Sequence, residues 1–220
     1  MNEFFIADFI PFSLLDYQGK IASVVFTHGC GLRCRYCHNP ELVTGRRGDN
    51  RLNEFMDFIR DKDIEGIAVT GGEPLAADGI LTFLAHVKGL GYSVKLDTNG
   101  FSHAALERAA GYLDFVSVDL KAFNDADIAQ ITRTGGGLEH FYRTIDVLRV
   151  HGISFEVRHT LWKVPEAADV KRVMERAGLE RITVQHVIKK GKWLDRRFQV
   201  SIDRDEVLEL FAGYDVVWRN

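Results

Sequence analysis

At 220 residues, 46% hydrophobic and 27% charged, the chain is long enough for one well-buried domain and short for two. A formal charge of -3 and a pI near 6.2 argue against a nucleic-acid partner held by phosphate attraction. No apolar run reaches membrane-spanning length, and the opening Met1 to Ile6 lacks the basic start and long apolar stretch of a signal peptide, so a cytoplasmic protein with no membrane partner is expected.

In chain order, the apolar stretch Phe4 to Leu15 is expected to pack across the mouth or floor of the fold. Ala22 to Thr27 reads as a first strand, β-branched and aromatic and fit for burial on both faces. A long irregular loop follows, then a helix from Glu54 to Arg60 capped by Asn53, with Phe55, Phe58 and Ile59 as its apolar stripe. The second strand, Gly66 to Thr70, ends in Gly71-Gly72-Glu73-Pro74 and precedes a helix from about Gly79 to Leu90. The third strand, Ser93 to Asp97, stops at Thr98-Asn99-Gly100, after which Ser102 caps a helix running to Ala109. Phe115 to Lys121 is the fourth strand, and a helix from Leu138 to Val150 leads to the fifth, Ser154 to Leu161. Pro165 suits the first turn of a helix ending near Gly178, and Arg181 to Gln185 is the sixth strand. Beyond Lys190 come a loop from Trp193 to Val200, a last helix from Asp203 to Ala212 and a terminal strand from Tyr214 to Trp218.

Six strand–helix units with short connections demand right-handed crossovers and a parallel sheet. Six are too few to close as an eight-unit barrel does, so an α/β fold is expected, a partial (β/α)6 barrel. It forms a single domain over residues 1–220, with its core at about 20–190 and a C-terminal extension at 191–220.

All three cysteines, Cys30, Cys34 and Cys37, fall in the irregular loop. So tight and odd a group is no disulfide framework and suits a reducing compartment. Three thiolates can hold a soft metal centre yet leave a tetrahedral site one ligand short. An iron–sulfur cubane with one uncommitted iron fits that count. The alternative is structural zinc completed by His38, against which the poor geometry of adjacent ligands at 37 and 38 speaks.

Ligands collect at the carboxyl ends of parallel strands, and here all six ends are polar or glycine-rich. They carry the cysteine loop, Gly71 to Pro74, Asp97 to Gly100, Asp119 with Lys121, Arg158 with His159, and Gln185 with His186. Directed to one end, they share one site.

Cys30-x-x-x-Cys34-x-x-Cys37, with Tyr36 before the last cysteine, resembles the signature of the radical S-adenosylmethionine superfamily. Gly71 to Pro74 resembles that superfamily's segment contacting the amino group of the methionine moiety. Asp16-Tyr-Gln-Gly-Lys20, Phe26-Thr-His-Gly-Cys30, Tyr36-Cys-His-Asn-Pro40, Asp97 to Gly100 and Asp119-Leu-Lys121 resemble the glycyl-radical-enzyme activases. The opening Ile10 to Asp16 and the compact length are most similar to the subgroup that activates anaerobic ribonucleoside-triphosphate reductase. Gly31 and Gln18 depart from the family's frequent residues at those positions.

The resemblance implies one [4Fe–4S] cluster on the three cysteines, its free iron chelated by the amino and carboxylate groups of S-adenosylmethionine. Reductive cleavage then gives methionine and a 5′-deoxyadenosyl radical, with no catalytic side chain beyond the cluster ligands. It implies cofactor contacts at Tyr36, His38, Gly71, Gly72, Glu73, Pro74 and Asn99, and at His186, whose bland alternative is a histidine satisfied by backbone. Asp97 and Asp119 either pair with Lys95 and Lys121 or form a polar floor able to hold a monovalent cation. Lys121 is the first candidate for the methionine carboxylate and Arg158 its competitor; Asp16 either approaches a substrate peptide or caps the turn at Gly19. The implied partners are a glycyl-radical enzyme as protein substrate, anaerobic ribonucleotide reductase first and pyruvate formate-lyase second, and a flavodoxin- or ferredoxin-type electron donor. A small-molecule radical enzyme akin to 7-carboxy-7-deazaguanine synthase is the other reading.

Overall fold

Eight strands lie side by side in chain order in one sheet. The structure is a computed structural model and describes residues 4–187, 193–195, 197–198, 200, 202 and 205–219. Strand β1 (Ile6–Ser13) runs antiparallel to β2 (Ala22–Thr27). This corrects the placement of Phe4 to Leu15 across the mouth or floor. A register shift between Ile6 and Asp8 turns both Ile6 and Phe9 to the helix-covered face, while Ile10 and Phe12 stay exposed. An edge strand also tolerates Pro11, which has no N–H to give a further neighbour.

From β2 onward every neighbouring pair is parallel: β3 (Gly66–Gly71), β4 (Ser93–Thr98), β5 (Phe115–Asp119), β6 (Ser154–Leu161), β7 (Arg181–His186) and β8 (Asp215–Arg219). The terminal strand, expected as an appendage, continues the sheet beside β7. Among the described residues no strand pairs beyond β1 or β8, so the curled sheet stays an open barrel.

The helices are α1 (Pro40–Thr44), α2 (Leu52–Arg60), α3 (Ile80–Gly89), α4 (His103–Ala109), α5 (Asp125–Thr132), α6 (Leu138–Val150), α7 (Ala167–Arg176) and α8 (Asp205–Leu208). Helix α2 starts two residues before the expected Glu54, because buried Leu52 belongs to its stripe; Asn50 Oδ1, not Asn53, accepts from Leu52 N at 3.0 Å. Pro165 precedes the Glu166 cap of α7 rather than lying in its first turn. Ser102 holds the cap position of α4 without a side-chain bond. Helix α1 arises in the stretch read as a long loop, and α5 lies between the fourth strand and the helix from Leu138, where no element was expected. Each is short, and α5 is fixed by Asn124, whose Oδ1 accepts from Asp127 N at 2.8 Å. The last helix is shorter than Asp203 to Ala212: α8 passes into a 3-10 turn at Glu209–Phe211, and positions 203 and 204 lie outside the described residues.

The strands explain the separation of core from site. On β4 to β7, Leu96, Val116, Val118, Val157, Ile182 and Val184 point outward and are buried under the helices. There they meet Phe83 and Leu84 of α3, Phe141 and Ile145 of α6 and Val170 and Val173 of α7, each worth about 1.5–3 kcal/mol when fully buried. The alternate residues, Lys95, Asp97, Ser117, Asp119, Glu156, Arg158 and Thr183, project into the concave face, as a two-residue period requires. The lower barrel is satisfied internally. Glu156 accepts from Ser117 Oγ at 2.7 Å and Thr183 Oγ1 at 3.2 Å and pairs with Arg219 at 3.1 Å.

Candidate functional site

The cysteine loop leaves the carboxyl end of β2 and is tied down by main-chain bonds. Gly29 N donates to Leu42 O at 2.7 Å, and Arg33 N and Arg35 N donate to Thr132 O and Ile131 O at 2.8 and 3.0 Å. Helix α5 thus offers its terminal carbonyls, which have no partner within the helix, to the loop. Leu194 N and Asp195 N reach the Cys37 and Arg35 carbonyls, and the Asp195 carboxylate takes Arg35 at 3.0 Å.

Cys34 is buried and Cys30 and Cys37 half-buried. Burial pushes all three thiols up, Cys34 to about 11, so a bound metal must displace their protons. Among the described residues, no group of three or more histidine, cysteine, aspartate or glutamate side chains is placed to hold a single metal ion. Cys30, Cys34, Cys37 and His38 line one cavity of about 450 Å³. Soft donors from one loop around so large a space fit a cluster better than a lone ion.

Gly71, Gly72, Asp97, Asn99, Asp119, Lys121 and Arg158 line the same cavity, and so does Tyr36. The Tyr36 hydroxyl is buried beside Thr160. Three soft sulfur donors set beside Lys121, Asn99 and the Gly71–Gly72 backbone fit a bound cluster and nucleoside. Asp16 reaches the cavity from the far end, in the turn beside the amino ends of the parallel strands, and accepts a hydrogen bond from the Ser13 hydroxyl.

Glu73, Pro74 and His186 stand apart from the cavity lining. The two glycines before Glu73 serve the approach of two backbones: Gly71 has φ 116°, and a Cβ on Gly72 would stand 1.9 Å from Gly29 O. Glu73 N then donates to Gly29 O at 2.7 Å. The Glu73 carboxylate is spent on scaffold, accepting from Asn99 N at 2.8 Å, Thr98 Oγ1 at 2.9 Å and Leu75 N at 3.1 Å. Burial outweighs these bonds and pushes the carboxyl up to about 7. His186 turns to the outer face and packs on Trp218, ring centroids 5.8 Å apart. His159, also outward, bonds the Leu120 carbonyl at 2.9 Å, and burial lowers it to about 4.

The inward charges pair with one another. Lys95 meets Asp97 at 2.7 Å, Arg158 spans Asp97 at 3.1 Å and Asp119 at 3.0 Å, and Lys121 meets Asp119 at 2.9 Å. Burial alone would raise Asp119, but the Arg158 and Lys121 charges hold it at about 2. Asp97 is lowered too, Arg158 and Lys95 overcoming its burial. Gln185, expected at the polar end of its strand, lines the cavity, and so does Thr160, which was not singled out in the sequence. Thr160 lies two residues after Arg158, so the strand period was the signal for it.

Residues 24–177 match the sequence model of the Radical SAM superfamily. A protein of Methanocaldococcus jannaschii named as a glycyl-radical enzyme activating enzyme is 26% identical over 170 residues, covering 74% of this chain and 70% of its own. The pyruvate formate-lyase-activating enzyme of Clostridium pasteurianum is 30% identical over 168 residues, covering 72% and 68%. The crystal structure of Streptococcus suis SuiB bound to S-adenosylmethionine shares the fold, with a TM-score of 0.69 at 12% identity, over 89% of this chain and 49% of that one.

Proposed function

The chain belongs to the radical S-adenosylmethionine superfamily, and we propose that within it the protein generates a glycyl radical on a partner enzyme, anaerobic ribonucleoside-triphosphate reductase first and pyruvate formate-lyase second. The family's cofactors are a [4Fe–4S] cluster and S-adenosylmethionine. Cys30, Cys34 and Cys37 would hold three irons, leaving the fourth for the cofactor's amino and carboxylate groups. The bound pair supplies the one-electron cleavage that yields a 5′-deoxyadenosyl radical, the electron coming from a flavodoxin- or ferredoxin-type donor.

The chain's own residues position and shield. Arg158 is committed to two carboxylates, whereas Lys121 uses one bond on Asp119 and retains donors for an incoming carboxylate. Lys121 is therefore the stronger candidate for the methionine carboxylate. Tyr36 lines the wall, its hydroxyl buried beside Thr160.

What favours a protein substrate is the pair of activase relatives, 26% and 30% identical over 74% and 72% of this chain. Phe12, Leu14 and Leu15 are exposed at the amino ends of the parallel strands, opposite the cysteine loop, and are no part of its rim. No helix among the described residues is long and apolar enough to cross a membrane.

Anaerobic mixing of reconstituted protein, reductant, S-adenosylmethionine and each candidate partner should give a stable glycyl-radical resonance with one of them. Cys34→Ala should give none. Cofactor cleavage without a protein radical on either partner overturns the reading.

A further inference from the structure

The Asn99 carboxamide, at the carboxyl end of β4, reaches toward the cysteine loop: its Nδ2 stands 3.8 Å from Cys30 Sγ. Either end of an amide can face a sulfur, so its orientation needs a separate constraint. That constraint is present. Phe101 N donates to Asn99 Oδ1 at 2.9 Å, which places the NH2 on the sulfur side. The backbone is fixed as well, Asn99 N donating to Glu73 Oε2 at 2.8 Å while Glu73 Oε1 takes Thr98 Oγ1 at 2.9 Å. On the other side, the Arg33 guanidinium bonds the Cys30 carbonyl. Donor and acceptor are thus each held by their own loop, and Glu73 joins the β3 and β4 loops that frame them.

We propose that Asn99 is an N–H···S donor to the Cys30 ligand sulfur, setting the reduction potential of the cluster. The inference rests on the assignment of Cys30 as a cluster ligand. A hydrogen bond to a ligand sulfur stabilises the reduced, more negative cluster and raises its potential. Losing it makes the cluster harder to reduce.

The test compares reconstituted wild type, Asn99→Ala and Asn99→Asp, with iron content measured and the cluster potential titrated by electron paramagnetic resonance before S-adenosylmethionine is added. Asn99→Ala should shift the reduction equilibrium about tenfold toward the oxidised cluster, about 59 mV more negative for a one-electron couple. Asn99→Asp keeps the acceptor for Phe101 N, and with it the turn, but presents a carboxylate to the sulfur; it should shift the potential at least as far in the same direction. Full iron content with both variants at the wild-type potential overturns the inference. So does a shift in Asn99→Ala alone, which would make Asn99 a loop cap. Wild-type protein that takes up no iron overturns the ligand assignment beneath it.

Discussion

Two buried carboxylates show how neighbours decide what burial does. Asp119 has Arg158 and Lys121 on it and stays ionised, at about 2. Glu73 receives only neutral donors, and burial pushes it up to about 7 from an ordinary 4.5. The signs differ accordingly. An acid raised in the folded state contributes stability that is full below its unfolded value and lost as pH rises through the folded one. Glu73 should therefore remove on the order of 3 kcal/mol of stability between about pH 4.5 and 7. Asp119, lowered, keeps its contribution throughout that window and loses it only as pH falls below about 4 toward 2. Urea unfolding of the metal-free protein at pH 5 and pH 8 separates them: Glu73→Gln should be clearly less stable than wild type at pH 5 and close to it at pH 8. A constant gap between the two proteins would mean that the hydrogen bonds, and not burial, govern Glu73.

At the scale of elements, the loops carry what the strands only aim. The strands were legible because buried parallel strands read as short β-branched runs, and Gly66 to Thr70 and Ser154 to Leu161 come out almost residue for residue. The cysteines and the polar strand ends were legible as chemistry. What was not legible was which contacts the glycines make. Gly71 and Gly72 read as part of a segment contacting a ligand, and they are also a crossing point of two backbones. Sequence shows that a side chain is absent, not what fills its place. Nor did Glu73 and His186 show that they face away, since direction at a strand's end depends on the turn that follows. Helix α5 was missed because its first turn, Asp125-Ala-Asp127, is polar and its length is eight residues. The crossing predicts a sharp contrast. Gly72→Ala must push its Cβ off Gly29 O, costing about 3 kcal/mol and separating the β3 end from the cysteine loop. Iron uptake should fall with it. Gly31→Ala, in the same loop, meets nothing within 4 Å and has no left-handed backbone, so its stability and iron content should match wild type.

At the scale of the whole molecule, folding and metal binding draw on different faces of one sheet. The convex face holds the hydrophobic core, from Phe4 stacked on Phe83 at 4.3 Å to Val207 and Phe211 near the C-terminus. The concave face holds ion pairs that close on themselves, Lys95 through Arg158 to Lys121. The cysteine loop is anchored to α1 and α5 by main-chain bonds that involve no sulfur. In zinc fingers the metal site replaces the core, and metal-free chains unfold. Here the core is complete without it, so iron removal should leave a folded protein. Far-ultraviolet dichroism of the metal-free form should match that of the loaded form, with one cooperative unfolding transition. Loading should still raise the midpoint, because a ligand bound only by the native state stabilises by mass action. Hydrogen exchange should locate the gain: protection should rise at residues 29–38 and at the α5 carboxyl end that braces them, and barely change in β3 to β6. A metal-free chain that lost its helical signal would show that the core alone does not hold this barrel, and that the cluster is part of the fold.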